Sequence, residues 1–113
     1  MKNYAEFQIL GHVGRITPFD SATRVTVCAN YRRKDDRGNW EDDAHWNEVV
    51  IFSQRTRNYI AEHVKTGDLV HVRGRIRQNR FKDRNTGEVR YTVDLIATHF
   101  GRLASKQVDG DDD

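Results

Sequence analysis

A chain of 113 residues with 36% hydrophobic side chains is long enough for one domain with a thin core. Lys and Arg total 19 and Asp and Glu total 17. Four of those acids are Asp109, Asp111, Asp112 and Asp113, which leaves 13 acids against 19 bases over residues 1–108, a net +6. No apolar run approaches the ~20 residues of a membrane helix. No signal peptide or presequence pattern opens the chain, and the single cysteine, Cys28, excludes a disulfide framework or a multi-cysteine zinc site. The expected compartment is the cytoplasm, and the basic body suggests a polyanion as partner.

The hydrophobic period is two along most of the chain. Residues 4–16 predict a first strand with Phe7, Ile9 and Val13 on one face, while Gly11 and Gly14 permit a bend or a close strand approach. Residues 17–22 are turn-rich. A second strand follows over 23–30, where Val25, Val27 and Ala29 alternate with Arg24, Thr26 and Cys28. Residues 32–43, RRKDDRGNWEDD, read as a charged hairpin arm or loop, mobile at its tip.

A third strand spans 44–53, with Asn47, Val49 and Ile51 opposite Trp46, Glu48, Val50 and Phe52. Residues 54–65 predict the one helix. Ser53 is its N-cap, Thr56, Ile60 and Val64 line one side, and Gly67 is the stop signal. Two long strands, 68–82 and 89–100, are joined by a turn containing DRNTG, in which Gly87 supplies a positive φ. The expectation is an all-β domain over 1–103, a five-stranded Greek-key barrel of the oligonucleotide-binding type (an OB-fold) with one helix between strands 3 and 4. Residues 104–113 are expected to be a disordered acidic tail.

Nothing in the sequence supports catalysis or a bound cofactor or metal. His12, His45, His63, His71 and His99 show no zinc-hydrolase spacing, and Cys28 has no sign of activation. His45 stands out only because it precedes Trp46.

The cations and aromatics are more informative. Arg73, Arg75 and Arg77 fall on one face of the fourth strand, a row of about 13 Å at roughly 3.3 Å per residue. Arg80, Lys82, Arg84 and Arg90 extend it through the last hairpin, and Arg32, Arg33 and Lys34 line the charged arm. Such rows suit a phosphate backbone, and a guanidinium can also lie flat on a base. Trp46, Phe52, Tyr31, Trp40 and Phe81 stand among polar and charged neighbours, poor company for a core and good company for a stacked base. Tyr4, Phe7, Phe19, Tyr59, Tyr91 and Phe100 read instead as core or interface aromatics. Because a duplex hides its base faces, the combination predicts a single strand, with DNA ahead of RNA.

These motifs carry a resemblance. HWNEVVIF at 45–52, GDLVHVRGRIRQNRFKDRNTGEVRYT at 67–92 and VDLIATHFGRL at 93–103 are similar to the bacterial single-stranded DNA-binding proteins, as is ILGHVGR at 9–15 more loosely. The resemblance covers roughly residues 3–103. It implies a homotetramer wrapped by single-stranded DNA at the nucleoid, with stacking on Tyr31, Trp46, Phe52 and Phe81 and with Arg73, Arg75, Arg77 and Arg84 along the DNA path. It also implies roles in replication, recombination or repair.

The tail SKQVDGDDD keeps the family's acidity but has no apolar end, which counts against recruiting partner proteins through it. Two other readings of the same barrel are a protein-interaction module of a primosome or replication-restart assembly, and an RNA-binding domain.

Overall fold

The computed structural model describes residues 1–106. Five strands and one helix follow in order: β1 (Glu6–Pro18), β2 (Thr23–Lys34), β3 (Trp40–Ile51), α1 (Gln54–His63), β4 (Leu69–Lys82) and β5 (Val89–Ala104). The strands close into a barrel in the order β1-β2-β3-β5-β4, with β4 returning to pair with β1. This is the expected five-stranded architecture with its helix between β3 and β4.

Alternation builds the core. Val25 and Val27 of β2, Val49 and Ile51 of β3, and Val70 and Val72 of β4 turn to one side of their strands and are wholly shielded from solvent. Each such side chain contributes about 1.5–3 kcal/mol on burial. Helix α1 closes one end by inserting Ile60, and Val64 follows at the C-cap. Its N-terminus is capped as the sequence predicts, Ser53 Oγ accepting the Thr56 N–H at 3.4 Å. Arg57 reaches back from the helix and donates to the carbonyls of Phe19 and Asp20, at 2.7 and 3.1 Å, which pins the β1–β2 connection.

A smaller cluster of Ala22, Val50 and Ile96 sits outside the barrel, where β3 and β5 run parallel in register at Val50 and Ile96. Val50 therefore does not share the exposed environment of Trp46 and Phe52 that simple alternation assigns it. Gly74 allows β5 to come close: a Cβ there would collide with the Ile96 carbonyl.

The charged stretch 32–43 is mostly ladder. Arg32 pairs in register with Asp42, Arg33 with Glu41 and Lys34 with Trp40, leaving only residues 35–39 as the turn. In that turn Asp35 Oδ1 accepts the N–H groups of Arg37 and Asn39 at 2.9 and 2.8 Å. β5 continues to Ala104, past the expected end at residue 100. Residues 107–113, which hold the acidic end of the sequence, lie outside the described residues.

Two ladders run beyond the barrel. β2 loses its β1 partner after Cys28, and β4 loses it after Arg75, so the β2–β3 and β4–β5 hairpins project as two arms.

Candidate nucleic-acid interface

Register decides which side chains share a face, since successive residues of a strand point to opposite sides. The β2–β3 ladder is continuous from Thr23–Ile51 to Lys34–Trp40, so its parity is unambiguous. Trp46, paired with Cys28, and Trp40, paired with Lys34, lie on the outer face. Trp46 is 60% exposed. Lys34 Nζ stands 5.3 Å over the Trp40 ring, a cation–π contact at the arm's tip.

Tyr31 pairs with Asp43 and so continues the core-facing side of β2 past the end of the core. There it meets His45, with ring centroids 4.9 Å apart, and His45 Nε2 is hydrogen-bonded to Asp43 Oδ2 at 2.9 Å. Tyr31 and His45 line an open concavity together with Phe7, Leu10, Ala29 and Leu95. Phe52 is exposed just after β3, but the buried Val50 patch separates it from Trp46, six residues and roughly 20 Å along the chain.

The β4–β5 arm is also two-sided. Phe81 pairs with Arg90 on the face that carries Arg75, Arg77 and Asn79. Arg80 and Lys82 take the other face, where Arg80 pairs with Tyr91 and Lys82 with Val89. Tyr91 is 59% exposed, with Ile76 and Val93 exposed beside it, so it is not a core aromatic. Tyr4 and Phe19 are likewise exposed, whereas Phe100 is buried and the Tyr59 hydroxyl accepts the Arg102 N–H at 3.0 Å.

The candidate phosphate ligands divide by their partners. Arg33 pairs with Glu41 at 2.9 Å, Arg32 with Asp42 at 4.0 Å, Arg77 with Asp94 at 3.3 Å and Arg90 with Asp83 at 2.8 Å. Asn79 also donates to Asp94. Arg73, Arg75, Arg80, Lys82 and Arg84 enter none of the ion pairs among the described residues. Exposed pairs of this kind are worth about 0–1 kcal/mol, so a phosphate can displace the carboxylate.

Asp83 organises the hairpin turn. Its Oδ1 accepts the N–H groups of Asn85 at 2.8 Å and Thr86 at 3.3 Å, and its Oδ2 accepts from Arg90. The Asn85 N–H first, then the Arg90 guanidinium and the Thr86 N–H, hold this carboxyl below its ordinary pKa. Gly87 closes the turn at φ +75°.

A model of the single-strand binding protein family matches residues 6–103. The chain belongs to that family. Its match takes in Tyr31, Trp40, Trp46, Phe52, Phe81, Tyr91 and the candidate phosphate ligands, and the family is one of binding proteins rather than enzymes. Among relatives, the chain is 22% identical over 108 residues to single-stranded DNA-binding protein 1 of Chlorobaculum tepidum, covering 90% of this chain and 66% of that one. It is 31% identical over 77 residues to the single-stranded DNA-binding protein of Borreliella burgdorferi, covering 68% and 51%. The chain is thus shorter than these family members, spanning two thirds or less of their length. The fold matches a Plasmodium falciparum SSB solved in complex with ssDNA, with a TM-score of 0.71, 16% identity, and coverage of 91% of this chain and 97% of that one.

In sequence, Tyr91 was hidden by its apolar neighbours: alternation marks Val89, Tyr91, Val93 and Leu95 as one side of a strand, without showing that only Leu95 reaches the core. Arg15 stands beside Trp46 for a similar reason, through a strand pairing that spacing alone does not reveal.

Proposed function

We propose that this chain binds single-stranded DNA without sequence preference, covering exposed strands during replication, recombination or repair. The observation that carries the reading is the placement of Trp46, an exposed indole on the barrel wall of a single-strand binding family member, between two arms studded with aromatics and arginines. Bases stack on Trp46, Phe81, Tyr91 and Tyr31, with Trp40 and Phe52 at the periphery. Phosphates are taken by Arg73, Arg75, Arg80, Lys82, Arg84 and Lys34, and by Arg32, Arg33, Arg77 and Arg90 once their acidic partners are displaced. Each stack is worth about 1–3 kcal/mol and ignores base identity. Counterion release makes the ionic part steeply salt-dependent.

The chain acts as a homo-oligomer, a tetramer, at the nucleoid. The free edge of β1 supports self-association: residues 6–11 pair only with β4, and Leu10 among them is exposed. An unpaired strand edge with an apolar residue next to it is a template for another chain.

The test is fluorescence anisotropy of labelled dT oligomers on the full chain, competed with unlabelled dT, rU and duplex DNA. The reading requires dT to compete far better than duplex. Equal competition by duplex would leave only generic charge attraction, and preference for rU would move the assignment to RNA.

A further inference from the structure

The ladder between β1 and β2 slips at one place. Val13 pairs with Val27 but Ile16 pairs with Val25, so two residues, Gly14 and Arg15, stand opposite Thr26 alone. This is a β-bulge, a device that re-aims side chains and recurs beside functional sites. It is clamped from both sides. The Arg15 N–H donates to the Thr26 hydroxyl at 2.8 Å, and the Thr66 hydroxyl donates to the Gly14 carbonyl at 2.9 Å.

Trp46 roofs this bulge. Thr26 and Cys28 pair with Glu48 and Trp46, so Thr26 and Trp46 are diagonal neighbours on the outer face. A Cβ on Gly14 would run into Cζ3 of Trp46, and would stand 2.9 Å from its Cη2 and 2.8 Å from the Thr26 hydroxyl. The six-membered ring of the indole therefore occupies space that only glycine leaves open. Gly14, Arg15, Thr26 and Trp46 together line one open depression. No carboxylate belongs to it, and Glu48, two residues along β3, is held by Arg24 at 2.8 Å. Arg15 is exposed and enters no ion pair among the described residues.

Resting on the single-strand reading above, we propose that the bulge is a seat for one nucleotide. Gly14 is a positioning residue: it sets the tilt of Trp46 so that a ring face stays open to a base. Arg15 takes the phosphate of the nucleotide stacked there. An aromatic plane, a free guanidinium and no competing acid is the chemistry of a nucleotide monophosphate unit. Neither residue belongs to the arginine row of β4.

The experiment uses the full chain carrying Trp40→Phe, so that Trp46 is the only fluorophore of its kind, titrated with dT oligomers at several salt concentrations. Gly14→Ala is expected to bind roughly tenfold more weakly, with a shallower maximum quench, because the displaced ring no longer stacks fully. Arg15→Gln is expected to keep the full quench while the slope of log K against log salt falls by about 0.7, the loss of one phosphate contact on a single strand. Arg15→Lys is expected to restore that slope. A Gly14→Ala quench equal to the reference, or an Arg15→Gln slope equal to the reference, overturns the proposal. Should Gly14→Ala not fold, the Arg15 variants decide alone. Absence of quench in the Trp40→Phe reference itself would instead strike the single-strand reading, which keeps the two failures apart.

Discussion

Tyr31 and Trp46 leave opposite faces of the β2–β3 ladder. Tyr31 lies opposite Asp43 and Trp46 opposite Cys28, and the ladder has no slip between those pairs. The aromatics of the molecule therefore do not form one flat platform. A strand that uses both must cross from the outer wall of the barrel, over the arm, to the opposite face of the ladder.

The two stacks should then behave as independent sites. Trp46→Ala is expected to weaken dT binding by about 1–3 kcal/mol, and Tyr31→Ala by a similar or smaller amount. Because the side chains share no partner, the double variant should lose close to the sum, within about 0.3–0.5 kcal/mol. Isothermal titration of the four proteins completes the cycle. A strongly sub-additive double variant would mean that one base bridges both rings.

The β4–β5 arm gives a parallel expectation. Phe81 faces Arg90 and Tyr91 faces Arg80, on opposite sides of the hairpin. Photocrosslinking with a 5-iodouracil oligomer should label both aromatics. Labelling of Phe81 alone would confine the DNA to one face and leave Tyr91, Ile76 and Val93 as an apolar surface for protein.

Self-association should depend on the β1 edge. Leu10→Asp places a charge beside the strand segment that pairs only with β4. Sedimentation velocity is expected to show a smaller species for the variant than for the parent, still folded because Leu10 is exposed in the single chain. An unchanged sedimentation coefficient would place assembly elsewhere.

Much of this molecule is legible from residue order, and the parts that are not share a cause. The recurrence of Val25 and Val27, Val49 and Ile51, and Val70 and Val72 on one side of their strands marks the core directly, and Ser53 marks the start of the helix. The helix stops at His63, earlier than expected, and Gly67 serves the turn that follows, at φ +94°. The stretch 32–43 reads as hairpin arm or loop, because its charges look solvated and leave the two undecided. Only the register reveals that Arg33 and Glu41 stabilise a ladder by facing each other. Tyr91 misleads for the opposite reason: alternation states which side of a strand is apolar, not whether another element covers it. Gly14 announces a bend, but its occupant, Trp46, lies far along the chain and is brought there through β2.

The hairpin turn carries a pH dependence of definite sign. Asp83 binds the Asn85 and Thr86 amides and Arg90 only when ionised, which is why its pKa in the fold lies below the unfolded value. The stabilisation is therefore complete above the ordinary carboxylate range and is lost as pH falls through the lowered folded pKa. Amide shifts of Asn85 and Thr86, followed by NMR from neutral to acid pH, should titrate together with a midpoint below that of an unperturbed Asp. In Asp83→Ala the transition should be absent.

The most direct measurement is the intrinsic tryptophan fluorescence of the full chain, titrated with dT oligomers at low and high salt. Trp40 and Trp46 are its only tryptophans, and Trp46 is the proposed central stacking residue. Strong quenching is expected, saturating at a defined ratio of nucleotide to protein, weakening with salt and persisting in part at high salt. Fluorescence that dT leaves unchanged at low salt, in a protein that also fails to retain labelled dT, would contradict the single-strand reading.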